Sequence, residues 1–121
     1  MRTAVRICVN GSRGFEDREK IYEALDNLIP EETRESVVLI TGGCRGPDTI
    51  AEEWAIDRGV EVEVVRAKWL IEGRAAGPKR NARMIKLSDR LISFWDGKSR
   101  GTKGTIELAN IKKIPVTIVE V

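Results

Sequence analysis

Apolar runs that end at polar or glycine-rich turns alternate along this chain with segments of helical periodicity, and few folds satisfy that pattern. Ala4–Val9, Val37–Ile40, Val60–Val65, Arg90–Trp95 and Val116–Val121 read as strands. Between them, Glu16–Leu28 carries Ile21, Leu25 and Leu28 at helical spacing. Asp48–Arg58 places Ile50, Ala51, Trp54 and Ala55 on one stripe, with Glu52, Glu53 and Asp57 off it, and Gly59 stops the helix. Pro78–Leu87 and Gly101–Lys113 read as two further helices, with Pro78 suited to a first turn. Strands alternating with helices call for a parallel sheet covered on both faces, and near-continuous apolar strands agree with burial on both sides. The expected class is therefore α/β: a Rossmann-like three-layer sandwich with five parallel strands in the order 3-2-1-4-5. That order comes from the class, not from the spacing. It makes strands 1 and 4 neighbours at a topological switch point, where ligands bind outside the carboxyl ends of the strands.

A length of 121 residues fits one domain, taken as 1–121, with no repeat or linker. Cys8 and Cys44 form no close pair, so neither a disulfide framework nor a zinc site is expected. The chain has no histidine, which removes the commonest metal ligand and general base. No metal or cofactor is expected, and acid–base chemistry would fall to carboxylates, Tyr22, lysines or water. Without a signal-peptide pattern or an apolar run near ~20 residues, the expectation is a cytoplasmic protein with no membrane partner. The net charge is only +2, but residues 1–65 carry a net −6 and residues 66–103 a net +8. A basic segment on a near-neutral chain points to a local anion site, the alternative being solvated helix faces.

Three glycine-rich segments follow strands 1, 2 and 4: Asn10-Gly11-Ser12-Arg13-Gly14-Phe15, Gly42-Gly43-Cys44-Arg45-Gly46-Pro47-Asp48, and Asp96-Gly97-Lys98-Ser99-Arg100-Gly101-Thr102 onward. Each leads into a helix. Such loops turn N–H groups toward an anion, and the helix N-terminus adds positive potential. Neither the Walker pattern nor G-x-G-x-x-G is matched, which disfavours an ATPase or a nicotinamide enzyme. A long cationic connection, Lys68 to Asn81, follows strand 3, and long loops in compact domains are often functional. In it Trp69 either stacks on a base or caps the core. Arg80 and Arg83, at i and i+3, share a helix face and either clamp a phosphate or are solvated at the surface, the clamp being preferred. Asp48 caps its helix or holds a ribose hydroxyl, capping being preferred. Glu107, about one turn beyond the last loop, points at ligand or at solvent. Trp95 walls the crevice or is buried, burial being preferred.

With those pieces in order, the chain resembles the SLOG superfamily, which gathers the DprA/Smf domain, the Lonely Guy phosphoribohydrolases and small stand-alone members; it is most similar to the YspA/YpsA-related group. The resemblance rests on Gly11–Phe15, Gly42–Asp48, Ala51–Ala55, Trp69, Ala76–Met84, Phe94–Gly97 and Ser99–Thr102. It implies a Rossmann-like fold and a nucleotide-derived ligand. The implied ligand-binding set is Gly11, Ser12, Arg13, Gly42, Gly43, Arg45, Gly46, Asp48, Trp69, Gly77, Arg80, Asn81, Arg83, Asp96, Gly97, Ser99, Arg100, Gly101 and Thr102. In Lonely Guy enzymes an arginine in R-K-x-x-M and a glutamate after P-G-G-x-G-T serve hydrolysis of a nucleoside monophosphate. Arg80 matches the arginine, and Glu107 falls one residue early for the glutamate. The resemblance also implies a homodimer, since Lonely Guy subunits pair to complete their site.

Three expectations follow. The favoured one is a module that binds a nucleotide or nucleotide derivative as a sensor or sequestering domain. The alternative is an N-glycosidic hydrolase using Arg80 and Glu107. Single-stranded DNA binding in the manner of DprA comes third, because aromatics are only 5% of the chain. A phosphate is expected between the 97–102 loop and the helix start at 78–83.

Overall fold

The computed structural model describes residues 4–121. Its strands are β1 (Val5–Gly11), β2 (Val37–Thr41), β3 (Glu61–Val64), β4 (Arg90–Trp95) and β5 (Val116–Glu120). They form one sheet in the order β3-β2-β1-β4-β5, and every pairing is parallel. The helices are α1 (Arg18–Leu28), α2 (Pro47–Arg58), α3 (Trp69–Glu72), α4 (Ala76–Leu87) and α5 (Arg100–Lys112). The architecture is the one read from the sequence, and the strand order is the one expected of that class.

Strand alternation assigns the two faces. Ile7, Val9, Leu39, Ile92 and Phe94 turn toward Ile21 and Leu25 of α1 and Trp54 of α2. Cys8, Val38, Ile40 and Leu91 turn toward Met84 and Ile85 of α4 and Ile106 and Ala109 of α5. The four stripe residues named for α2 are all buried. Asp26 ties α1 to α2 by accepting from Trp54 Nε1 at 2.9 Å and from Arg58 through both its oxygens. The Arg58 hydrogen bond, above all, holds the Asp26 carboxyl down at about 2. That stabilisation is present above the usual carboxylate range and is lost as pH falls toward 2.

Two elements differ from expectation. β3, shorter than the Val60–Val65 span read as a strand, is an edge strand in which Glu61 and Glu63 face solvent while Val62 and Val64 are half-buried, so the burial on both sides expected of the sheet's strands does not extend to it. The connection after it is not a structureless loop. It folds into α3 and a 3-10 turn, Gly73–Ala75, before α4 begins at Ala76, two residues ahead of Pro78. Pro78 still lies in the first turn of α4, where its missing N–H has no intrahelical acceptor to lose.

Gly11, at the end of β1, is a packing glycine. A Cβ there would lie 2.6 Å from both the Phe94 carbonyl oxygen and Pro47 Cγ. The next N–H, of Ser12, donates to the same Phe94 oxygen at 2.9 Å. Gly11→Ala must separate β4 from the start of α2 and is expected to cost about 1–3 kcal/mol, read as a lower denaturant midpoint at unchanged slope.

Candidate functional site

The carboxyl ends of β1, β2 and β4 open onto one cleft with two lobes. The first lobe, about 460 Å³, is lined by Arg13, the Gly42–Arg45 loop, Arg66, Ala67, Trp69 and Arg80. The second, about 400 Å³, lies between the start of α4 (Gly77, Pro78, Arg80, Asn81, Met84) and the start of α5 (Ser99, Gly101, Thr102), with Asn10, Gly11 and Asp48 from the strand ends. Arg13, Cys44, Trp69 and Arg80 line both.

Arg80 is the structural centre. It stands on the buried stripe of α4 with Ala76 and Met84, and is only 5% exposed. Its Nη1 donates to the Gly42 carbonyl at 2.8 Å and its Nε to Asn81 Oδ1 at 2.7 Å. Gly42 permits this approach: a Cβ there would fall 2.9 Å from Nη1. A buried guanidinium needs compensating partners. Arg80 has a carbonyl, an amide oxygen and the nearby Asp48, and no carboxylate in direct contact.

Asp48 does not cap its helix. It is the second residue of α2, behind Gly46 and Pro47, and its Oδ2 accepts from the Gly42 and Cys44 N–H groups at 2.8 and 3.4 Å. It thereby fixes the loop that lines the first lobe. Burial pushes its carboxyl up to about 6, against the lowering effect of the two amides and of Arg80.

Among the described residues, two buried polar side-chain atoms have no protein partner: Asn10 Oδ1 and Ser93 Oγ. These residues sit side by side in the β1–β4 ladder, at the switch point, and Asn10 lines the second lobe. Native interiors rarely leave such atoms unpaired, so a water or ligand is called for there.

Other expected site residues serve the scaffold. Ser12 is buried, and its Oγ accepts from the Asp96 N–H at 3.1 Å, latching the β1 and β4 loops together. Asp96 accepts from the Lys98 and Ser99 N–H groups at 2.8 Å, and these bonds hold its carboxyl below the usual range. Gly97, at φ 80°, makes the turn between them. Trp95 is half-buried against the α4–α5 side and donates from Nε1 to the Ser99 carbonyl. Arg100 is exposed at the start of α5, and Gly46 is buried at the start of α2.

Two expectations fail on helix rotation. Arg83 does not join Arg80 but turns to Glu72 at 3.5 Å and to the Arg66 carbonyl at 3.3 Å. Glu107 is exposed and lines neither lobe, because Thr102, Thr105, Ile106 and Ala109 form the inner face of α5. Conversely, Arg66 lines the first lobe from outside the expected ligand-binding set, and Asn10, which opens the first glycine-rich segment, lines the second. Arg66 falls just beyond the carboxyl end of β3, a position from which a cation reaches the ligand edge of a parallel sheet. Trp69 is half exposed, with its ring against Gly77. Among the described residues, no helix is long and apolar enough to cross a membrane.

The Gene 61 protein of Mycobacterium phage D29 is 33% identical over 117 residues, which cover 92% of this chain and 93% of that protein. DNA processing protein A (DprA) from Streptococcus pneumoniae superposes with a TM-score of 0.78 at 19% identity, over 98% of this chain and 51% of that one. Helicobacter pylori DprA, a single-stranded-DNA-binding protein, gives 0.74 at 20% identity, over 96% and 65%. The structural-genomics target TM1055 gives 0.68 at 15%, over 93% and 72%. The chain thus spans about half of the pneumococcal protein and 65% of the Helicobacter one. At such identities these structures establish the fold alone. A profile of the YspA, cpYpsA-related SLOG family matches residues 5–70, and with the phage relative it shows that the chain belongs to that family.

Proposed function

We propose that this protein binds a nucleotide or nucleotide derivative, with a phosphate held by Arg80 between the starts of α4 and α5. The observation that carries this reading is the buried Arg80 guanidinium, poised where two lobes of one cleft meet and left without a carboxylate in contact. Ser99 and Thr102, whose hydroxyls lie 3.1 Å apart at the α5 N-terminus, add donors and helix-dipole potential. Asn10 offers an unpaired acceptor to a sugar hydroxyl, and Trp69 offers a ring face to a base. Incubation with a panel of nucleotides is expected to raise the melting temperature. No rise with any member would overturn the reading.

The two cysteines supply an independent readout. Cys8 is fully buried and burial pushes its thiol far up, whereas Cys44 is half-buried and lines both lobes. Iodoacetamide should therefore label Cys44 in the folded protein and Cys8 only after unfolding. A nucleotide that raises the melting temperature should slow Cys44 labelling about tenfold. Unchanged labelling with a stabilising nucleotide would place the ligand elsewhere.

A second reading, N-glycosidic hydrolysis, has one observation in its favour. A carboxyl raised to about 6 lines the second lobe, which suits a general acid. It is Asp48, not Glu107. Chromatography of nucleoside monophosphates after incubation would show free base with this protein and none with Asp48→Asn.

A further inference from the structure

The charge lining the two lobes is unequal. Arg13, Arg45, Arg66 and Arg80 all line the first lobe, and no carboxylate does. Among the described residues none of the four forms an ion pair, although Arg6, Arg18, Arg34, Arg58, Lys79 and Arg83 all do. Arg66 also lies across Gly43, where a Cβ would come within 2.8 Å of its Nη1, so the side chain is laid along the loop toward the lobe. Clustered like charges repel, and guanidinium clusters of this kind match multiply charged phosphate groups. One phosphate at Arg80 leaves Arg13, Arg45 and Arg66 lining about 460 Å³ of cleft that has no carboxylate among its lining residues.

We propose that the ligand carries a second phosphate, directly attached to the first, and that this group occupies the arginine-lined first lobe. The protein would then select nucleoside diphosphates or pyrophosphate-linked nucleotide derivatives over nucleoside monophosphates. The inference rests on the nucleotide-binding reading above. Continuity of the lobes through Arg13 and Arg80 lets one ligand span both, with the sugar toward Asn10 and the terminal phosphate toward Arg45 and Arg66.

The test compares AMP with ADP and GMP with GDP, by calorimetry, on the full chain and on the double variant Arg45→Ala, Arg66→Ala. Both residues are exposed and, among the described residues, their side chains make no hydrogen bond or ion pair, so the variant should fold normally, which circular dichroism checks. The full chain is expected to bind the preferred diphosphate at least about tenfold more tightly than its monophosphate. In the double variant that ratio should fall to about two. Equal affinities in the full chain would overturn this proposal and leave nucleotide binding standing, as would a preference that survives in the variant. Binding of none of the four nucleotides would overturn both. Binding of a single-stranded oligonucleotide alone would overturn both in favour of nucleic acid.

Discussion

Arg80→Met is expected to lose nucleotide binding by about a hundredfold or more while leaving a folded protein. The side chain has two roles that a single truncation would confuse. Its stem fills the α4 stripe between Ala76 and Met84, and its head satisfies the Gly42 carbonyl and Asn81 Oδ1 while facing both lobes. Arg80→Ala removes both, opens a void and orphans two acceptors, for an expected stability loss of about 2–4 kcal/mol. Methionine keeps the apolar volume and removes only the head. A charge-assisted bond to a phosphate contributes on the order of 2–3 kcal/mol, and a hundredfold loss corresponds to about 2.7 kcal/mol. Calorimetry with the best-binding nucleotide decides it: retention of affinity within threefold in Arg80→Met would remove Arg80 as the phosphate ligand. Arg83→Ala is the matched control, because its guanidinium is engaged by Glu72 and the Arg66 carbonyl and lines neither lobe.

What the chain's own order of residues makes legible is the scaffold. Parallel strands with central apolar runs, glycines at their carboxyl ends and helices with one apolar stripe admit few arrangements, and the observed strand order is the expected one. The site is legible only in part, for reasons that can be named. Arg80 is visible as a charge on an otherwise buried stripe, four residues from Ala76 and four from Met84. That same register sets Arg83 on the next stripe, so i, i+3 spacing misleads when one member points inward. Glu107 fails likewise, since α5 turns its 102, 105, 106 and 109 positions to the core. Asp48 was harder to foresee. Its partners are backbone amides of a loop, and amides carry no residue-specific signal in a sequence. Asn10 and Ser93 become a pair only through the β1–β4 register, across more than eighty residues of chain.

Asp48 makes the second large prediction, because among the described residues its carboxyl is the one buried acid at the cleft and its proton should report both folding and anion binding. The folded group titrates near 6 against an ordinary value of 3.8. Between those values the folded chain holds a proton that the unfolded chain has lost, so this group makes stability fall as pH rises from about 4 to about 6. Above 6 the ionised form costs about 3 kcal/mol relative to the protonated one. Asp26 and Asp96 are shifted the opposite way and act below that window. Both amide bonds converge on one oxygen of Asp48, so an asparagine with its carbonyl in that place keeps them. Asp48→Asn is therefore expected to stabilise the protein by up to about 3 kcal/mol at pH 7.5 and by only about 1 kcal/mol at pH 4.5, read from denaturant midpoints at the two pH values. A gain of equal size at both would show that the carboxyl does not titrate in this range. The same carboxylate lies near Arg80 and opposes any anion entering the second lobe. Sulfate, which stays dianionic between pH 5.5 and 7.5, should bind the wild-type protein about sixfold more tightly at the lower pH, since an anion nearby raises the carboxyl by about one unit more. In Asp48→Asn the affinity should be high at both values. A sulfate affinity that is flat with pH in the wild-type chain would mean that the anion sits beyond the reach of Asp48, and hence outside the lobe between α4 and α5.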